Sequence, residues 1–508
     1  MVSLTKPHRC PGLFYVTPAP DGYLLRIRTP GGLLTAQQAA AITAAAQQWQ
    51  CEILQVTNRA NLQLRALPTA PTAEVLQDLQ AAGLAAQNPQ IDRLRNLMTS
   101  PTAGIDPQEV IDTRPLLRAL DACLQAQPDW AGLPSKFSIG IDGGGRVGIG
   151  DRSAIPWEHR YNDIQLTAAT PLTPADDPDP GRSPTVIFHL AFAINKQFVA
   201  AGVGVAADAV LSALSALVAV YHDYAQTDPY SPPRLRDLLQ DWGIDRYLHR
   251  VNEWAGRSLW QTQPLLPSPP TQPYAHLGIQ PQRQAGRVYV GIHLMLGRLT
   301  VAQLLCLSTL AKSFGSGQLR LTPWQTIILP DIPERHLDDL RLNLAELGLP
   351  LTENRVSAGI TACAGQPGCP ASATQTQAHA IALTRHLERH LESAIPLNIH
   401  FSGCRKSCAQ PSPAEIMLLG TTLVRNGQTL EAYHLYTGQA DGGWQPLLDA
   451  AIPAAELPLR LERLLRWYQA QRHHPAESLG EFLQRQPSEP VAQLFRVQCL
   501  GSSTAIAN

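Results

Sequence analysis

The chain has 508 residues, more than a single hydrophobic core sustains, so two or three domains are expected. It carries 40 Lys+Arg against 41 Asp+Glu, a net charge of −1, which excludes a broadly basic nucleic-acid or anionic-membrane surface and leaves room for a local cationic pocket. Its nine cysteines are odd in number and unevenly spaced, and the N-terminus MVSLTKPHRCPGLFYV lacks the apolar run of a secretion signal; both point to a reducing, cytoplasmic setting with thiols or metal ligands rather than disulfides.

The first segment, from Thr29 to Leu84, repeats later in the chain without a gap. Leu34-Thr35 matches Leu299-Thr300, Thr57 matches Thr322, and Gly83-Leu84 matches Gly348-Leu349, each pair 265 residues apart. Each copy predicts a strand before the Leu-Thr step and a helix after it, with apolar residues at helical spacing such as Leu304, Leu307 and Leu310. A second strand follows, around Leu62-Gln63-Leu64 or Thr326-Ile327-Ile328-Leu329. A second helix then stops at Gly83 or Gly348, where glycine suits a left-handed cap. The reading is a duplicated βαβα-type unit with an open sheet.

Between the copies, FVAAGVGVAADAVLSALSALVAVYH (Phe198 to His222) is the segment nearest to a membrane span. Asp208 and the missing basic flank make it a buried helix instead. Pro171 to Pro184 reads as an exposed acidic loop, and Leu265 to Gly286 as a linker. The expected division is therefore 1–90, a first ferredoxin-like half module; 91–264, a first α/β domain; 265–286, the linker; 287–350, a second half module; 351–470, a second α/β domain carrying a metal cluster; and 471–508, a loosely attached tail.

Candidate binding residues in the first half are cationic: Arg59 and Arg65 in TNRANLQLR, Arg95 in DRLRNLMTSP and Lys136 in LPSKFSIGIDGGG. The positions equivalent to Arg59 and Arg65 in the second copy are Trp324 and Pro330, so the repeat is chemically asymmetric. An anionic ligand would explain this, since arginine clamps carboxylates with two parallel donors. Solvated arginines on strand edges are the plain alternative. IDGGG is followed by neither Gly-Lys nor a helix, so it carries little weight as a phosphate loop.

Four cysteines gather in the second half. TACAGQPGCP holds Cys363 and Cys369 and HFSGCRKSCAQP holds Cys404 and Cys408, a C-x5-C and a C-x3-C pair separated by 34 residues that include one predicted helix. Four thiolates suit a [4Fe–4S] cluster or zinc, and the wide first spacing favours the cluster. Gly365, Gly368 and Gly403 allow backbone to approach inorganic sulfide. Four buried free thiols remain the structural alternative.

The duplicated module, TNRANLQLR, LPSKF and the C-x5-C…C-x3-C tail together resemble the sirohaem-dependent nitrite and sulfite reductases over about residues 10 to 425. The resemblance implies an α+β, duplicated nitrite/sulfite reductase-like architecture, in which two ferredoxin-like half modules pair into one domain beside two larger α/β regions with mixed sheets. It also implies a [4Fe–4S] cluster on Cys363, Cys369, Cys404 and Cys408, the last bridging to sirohaem iron. Arg59, Arg95 and Lys136 would take the oxyanion. The fourth oxyanion position is Ser138 rather than lysine, which counts against sulfite and leaves nitrite open. Arg405-Lys406 stand where the reductases usually have Pro-Asn.

A branch of that superfamily fits further segments. RCPGLFYVTPAPDGYLLRIRTPGGLLT, SPTAGIDPQEVIDTRP, LRLTPWQTIILPDI and SGCRKSCAQP are similar to precorrin-3B synthases. This resemblance implies a monooxygenase-type oxidoreductase of cobalamin biosynthesis that hydroxylates precorrin-3A at C20 and closes a γ-lactone. Its expected partners are the tetrapyrrole substrate, dioxygen and an electron donor (NADH or a ferredoxin-type carrier), with no nucleic acid and no membrane. Its expected cofactors are the [4Fe–4S] cluster and a non-haem iron for which His159 and His400 are candidate ligands. The alternatives are a sirohaem-dependent ferredoxin–nitrite or sulfite reductase and a non-catalytic tetrapyrrole-binding iron–sulfur protein.

Overall fold

The computed structural model describes residues 11–155, 161–169, 186–195, 197–228, 231–262, 274–351, 356–392, 397–410, 412–438, 443–474, 477–486 and 493–495. The chain forms two compact units, Met1–Leu351 and Thr352–Asn508.

In the first unit, the N-terminal copy of the repeat contributes β1 (Thr17–Ala19), β2 (Gly22–Ile27), β3 (Leu33–Thr35), α1 (Ala36–Gln48), β4 (Ile53–Val56), β5 (Leu62–Leu67) and α2 (Ala73–Ala81). Thr35 starts α1 with a reciprocal cap: its hydroxyl accepts the Gln38 N–H at 3.1 Å and the Gln38 side chain accepts the Thr35 N–H at 3.0 Å. The same amide reaches on to the Ala82 carbonyl at 3.1 Å and so ties α1 to the end of α2. Gly83 follows with φ +72°, the left-handed stop read from the sequence.

A larger mixed layer comes next: α3 (Pro89–Asp92), β6 (Leu97–Thr99), α4 (Arg114–Gln125), β7 (Ile139–Asp142), β8 (Ile164–Ala169), β9 (Ile187–Ile194), β10 (Gln197–Ala206), α5 (Val210–Ala225), α6 (Leu235–Ala255) and β11 (Gln261–Thr262). Strands β6, β7 and β8 are parallel, and β9 to β11 continue antiparallel in the order β11-β10-β9-β8-β7-β6. The expected single helix over Phe198–His222 is corrected here. Its Val/Ala/Gly half is strand β10, and the chain turns at Ala207–Ala209 before α5 begins. No described helix is long and apolar enough to cross a membrane.

The second copy supplies β12 (Gly278–Pro281), β13 (Arg287–Ile292), β14 (Arg298–Thr300), α7 (Val301–Phe314), β15 (Gln318–Leu321), β16 (Ile327–Pro333) and α8 (Leu337–Glu346). Thr300 and Gln303 reproduce the cap, at 3.0 and 2.8 Å, and Gln303 reaches Leu347 O at 2.9 Å. The two copies are not self-contained sheets. They exchange a strand: one sheet runs β1-β2-β5-β4-β14 and the other β12-β13-β16-β15-β3. Leu299 lies opposite Leu54 and Leu34 opposite Leu319, the same pairing 265 residues on. One apolar core therefore spans both copies, with Leu34, Ile42, Leu54, Leu299, Leu304 and Leu319 all buried within it.

SPTAGID, quoted above among the resembling segments, is a clasp on this core. Arg320 of β15 is fully buried and its Nη1 donates to the carbonyls of Pro101 and Ala103 at 2.9 and 2.8 Å. IDGGG is likewise structural: a Cβ on Gly143 would lie 2.4 Å from Ile111 O, and the Asp142 carboxylate is spent on buried Arg152 at 2.8 Å.

The second unit repeats the mixed-sheet idea: β17 (Ile360–Ala362), α9 (Thr376–His390), β18 (Ile399–Ser402), β19 (Ile416–Arg425), β20 (Gln428–Gly438), β21 (Trp444–Pro446), β22 (Ile452–Pro453), α10 (Leu457–Gln471) and α11 (Leu479–Arg485). Strands β17, β18 and β19 are parallel and β20 turns back. Within the segment read as a tail, α11 is packed: Phe482 is fully buried, with its ring edge-on to Trp467 and Tyr468. The fold is α+β, with duplicated ferredoxin-like half modules and two mixed-sheet layers.

Candidate functional site

In the second unit both cysteine loops leave the C-terminal ends of neighbouring parallel strands. Cys363 is the residue after β17 and Cys404 lies two residues past β18. Parallel strands must end on the same side, so a crossover through α9 brings two sequence-distant pairs to one edge. The loops are then stitched together. Cys363 N–H donates to Phe401 O at 3.1 Å, Ala373 N–H to Gly403 O at 2.9 Å, and Gly403 N–H to the Cys363 sulfur at 3.3 Å.

Two glycines are obligatory there. Gly365 has φ +65° and its Cβ would fall 2.4 Å from the Thr376 hydroxyl, while a Cβ on Gly403 would meet the Ser372 hydroxyl at 1.8 Å. Cys363, Cys369 and Cys404 are half-buried and Cys408 is exposed. Burial, followed by the neighbouring Cys404, Cys363 and Cys369, raises the Cys408 thiol above its ordinary value, while Lys406 opposes the shift. The four sulfurs are thus within electrostatic reach of one another.

Their spacing separates the metal options. A tetrahedral zinc at about 2.3 Å from each sulfur would hold the sulfurs about 3.8 Å apart. Among the described residues no three cysteine sulfurs lie within 4.8 Å of one another. A cubane, whose thiolates bind four different corners, needs the wider arrangement. The donor set, the glycine-lined approach and the amide on Cys363 fit a [4Fe–4S] cluster. Arg405 and Lys406 are both exposed in the turn between Cys404 and Cys408, where Ser407 takes φ +51°.

In the first unit the cations gather at the opposite kind of edge, before the parallel strands. Arg95 lies two residues ahead of β6 and Lys136 three ahead of β7. Arg59 joins them through the segment leading into β8, donating to Asn162 Oδ1 at 3.1 Å and Tyr161 O at 3.2 Å. The sequence reading missed this Tyr161-Asn162 contact; WEHRYNDIQL offered only a polar stretch before a strand. The turn carrying Arg59 (Thr57 N–H to Asn61 O, 2.8 Å) recurs at Thr322–Thr326 (3.0 Å), with Trp324 in place of the arginine.

The four candidates are not equivalent. Arg95 is buried and clamped in two-pronged fashion on Asp121 at 2.8 and 2.9 Å, with Asp92 at 3.7 Å. Arg65 sits on β5, away from this edge, and pairs with Asp21 at 3.3 Å. Lys136 is exposed and has no ion-pair partner among the described residues. Ser138, at the fourth expected oxyanion position, is buried and donates to Asp163 at 3.0 Å, while Arg234 holds the other Asp163 oxygen at 2.6 Å.

Of the two histidines offered for a mononuclear iron, His159 lies outside the described residues. His400 is buried in β18 with neither ring nitrogen hydrogen-bonded among the described residues, and burial lowers its pKa to about 3.

Comparison with known proteins gives the family context. A family model described as the nitrite/sulfite reductase ferredoxin-like half domain matches residues 15–82 and again 280–347. A second, described as the nitrite and sulphite reductase 4Fe-4S domain, matches residues 90–259. The ferredoxin–nitrite reductase of Synechococcus elongatus is 32% identical over 463 residues, spanning 89% of this chain and 88% of that protein. Sulfite reductase [ferredoxin] 2 of Mycolicibacterium paratuberculosis is 27% identical over 459 residues, 87% of this chain and 79% of that protein. The solved structure of the Mycobacterium tuberculosis NirA protein superposes with a TM-score of 0.74 at 24% identity, over 92% of this chain and 84% of that one, and supports the fold.

These relatives overturn the precorrin-3B synthase reading. The matching proteins are named as ferredoxin-dependent nitrite and sulfite reductases, so the C20 hydroxylation, the precorrin-3A substrate and dioxygen are withdrawn. The motifs behind that reading have structural duties instead: SPTAGID takes Arg320, and IDGGG packs against Ile111. The non-haem iron rested on the same reading and goes with it.

Proposed function

Since the chain belongs to the nitrite/sulfite reductase family, we propose that it is a reductase of a small oxyanion, nitrite in the first place, supplied with electrons one at a time by a ferredoxin-type carrier. The observation that carries this reading is the four-thiol edge of the second unit, in which Cys363, Cys369, Cys404 and Cys408 are gathered but too widely spaced for one ion. Those four residues hold the [4Fe–4S] cluster in this reading.

The family expectation of sirohaem finds its support in Arg59 and Lys136. A polycarboxylate tetrapyrrole and a small anion both need cationic donors, and these two are not locked in the carboxylate clamps that hold Arg65 and Arg95. When bound, cluster and sirohaem supply electron storage and an iron on which the oxyanion is reduced. Nitrite takes up six electrons and eight protons and gives ammonium and two waters. The chain's own contribution is to place the cation of Arg59, braced by Tyr161 O and Asn162, and the exposed ammonium of Lys136 at one strand edge. Ser138 cannot add a third charge, because its hydroxyl is spent on Asp163. One cation fewer favours singly charged nitrite over doubly charged sulfite.

The test is turnover of the holoprotein with reduced ferredoxin, nitrite and sulfite being compared and ammonium and sulfide measured. Nitrite reduction to ammonium is expected. Arg59→Ala should raise KM for nitrite about 10- to 100-fold, as loss of a charge-assisted contact does, and leave the iron content unchanged. A cluster-loaded protein that reduces neither anion would overturn the reading.

A further inference from the structure

A second metal site lies on the outer helices of the second unit, apart from the cysteine loops. His386 and His390 are one helical turn apart on α9, so their rings share a face, with centroids 4.3 Å apart. Helix α10 brings Glu462 to the same place. One ligand atom from each of His386, His390 and Glu462 lies within 4.8 Å of the other two, and these three form the one such constellation among the described residues.

The surroundings orient each group as a ligand is oriented. His390 Nδ1 donates to the His386 carbonyl at 2.7 Å, which leaves Nε2 with the lone pair. The Glu462 side chain is 12% exposed; its Oε2 meets His386 Nε2 at 2.6 Å, and its Oε1 accepts from Arg466 at 2.8 Å. Arg466 also reaches the His390 carbonyl at 2.8 Å, so a single guanidinium braces both helices from behind. Two imidazoles one turn apart and a carboxylate held by an outer partner make up the donor set of a tetrahedral divalent site with its fourth position open to water.

We propose that His386, His390 and Glu462 bind one divalent transition-metal ion, zinc first, which staples α10 to α9. On binding, the proton shared between His386 Nε2 and Glu462 is released to solvent, and both atoms become ligands with no change of oxidation state. The role is structural, since helix α9 carries the framework from which the Cys363–Cys369 loop is hung, through the Thr376 hydroxyl's bond to Cys363 O at 2.9 Å.

The experiment uses the cluster-loaded full chain, stripped of loosely bound metal and titrated with Zn2+ by calorimetry, with zinc and iron counted on the same sample. One zinc per chain is expected, with a rise in unfolding temperature. His390→Ala removes an exposed side chain, so it should fold; Glu462→Gln is the second variant. Each should weaken zinc binding by about 100-fold or more, the upper end of what even an outer-shell partner costs, and leave the iron count unchanged. Zinc bound equally well by both variants, or no binding below millimolar zinc, would overturn the proposal.

Discussion

The amide of Gly403 donates to the sulfur of Cys363 at 3.3 Å, across the two loops that carry the four cysteines. That single contact joins the C-x5-C and C-x3-C halves of the motif, and it exists because Gly403 packs directly on Ser372. An N–H aimed at a ligating sulfur stabilises the more negative, reduced state of a cluster.

Gly403→Ala should therefore be severe. Its Cβ would collide with the Ser372 hydroxyl at 1.8 Å, and the hydroxyl cannot move freely because it donates to Thr374 O at 2.7 Å. Overpacking of this kind costs about 1–3 kcal/mol and would part the loops. The expected outcome is loss of iron and labile sulfide from the purified variant while its far-ultraviolet circular dichroism stays close to that of the parent. Full cluster occupancy would mean that the loops do not depend on this close approach.

Glu109 gives a pH signature in the first unit. Burial raises its pKa to about 7, although the Gly104 N–H at 2.8 Å and the Arg283 charge pull it down. A carboxyl whose folded value lies above its unfolded one binds more protons when folded. Between pH 4.5 and about 7 stability therefore falls as pH rises, by about 2–3 kcal/mol in all. Glu109→Gln keeps an acceptor for Gly104 and removes the charge. Denaturant melts should show its advantage over the parent growing from pH 5 to pH 8; a constant difference would place the carboxyl in a more solvated setting.

His400 acts in the opposite window. Burial depresses its imidazole to about 3, so the folded chain keeps it neutral while the unfolded chain protonates it below about 6.5. Stability is then present above pH 6.5 and drains away as pH falls, by about 2 kcal/mol at pH 5. His400→Leu removes two unsatisfied ring nitrogens and should lessen that acid sensitivity without loss at pH 7.5. An undiminished acid slope would mean that the imidazole has a polar partner in the folded protein.

How much of this was legible in the sequence depends on the range of the contact. The duplication was legible because Thr35 and Thr300 cap helices with local Thr-Gln pairs, and caps span only three residues. The exchange of β3 and β14 was not: a three-residue strand has no local preference strong enough to name its partner, and Leu34 finds Leu319 only through the shared core. Phe198–His222 misled because Ala and Val fill strands and helices alike.

At the site, the cysteine spacing identified the thiol cluster, since glycines and sulfurs are written next to one another. The fate of the cations was invisible. Asp21 neutralises Arg65 from 44 residues away and Asp121 takes Arg95 from 26, distances at which charge pairing leaves no periodic trace. The histidine pair on α9 is plain in LTRHLERHLES, but Glu462 completes it from 76 residues beyond His386.

The central claim is that the thiols of Cys363, Cys369, Cys404 and Cys408 hold one cubane. Iron and labile sulfide, counted per chain on anaerobically purified protein and on its Cys404→Ser variant, test it most directly. The account predicts about four labile sulfides per chain in the parent and their loss in the variant. A parent that carries a single zinc and no sulfide, or a variant that keeps its full sulfide content, would contradict it.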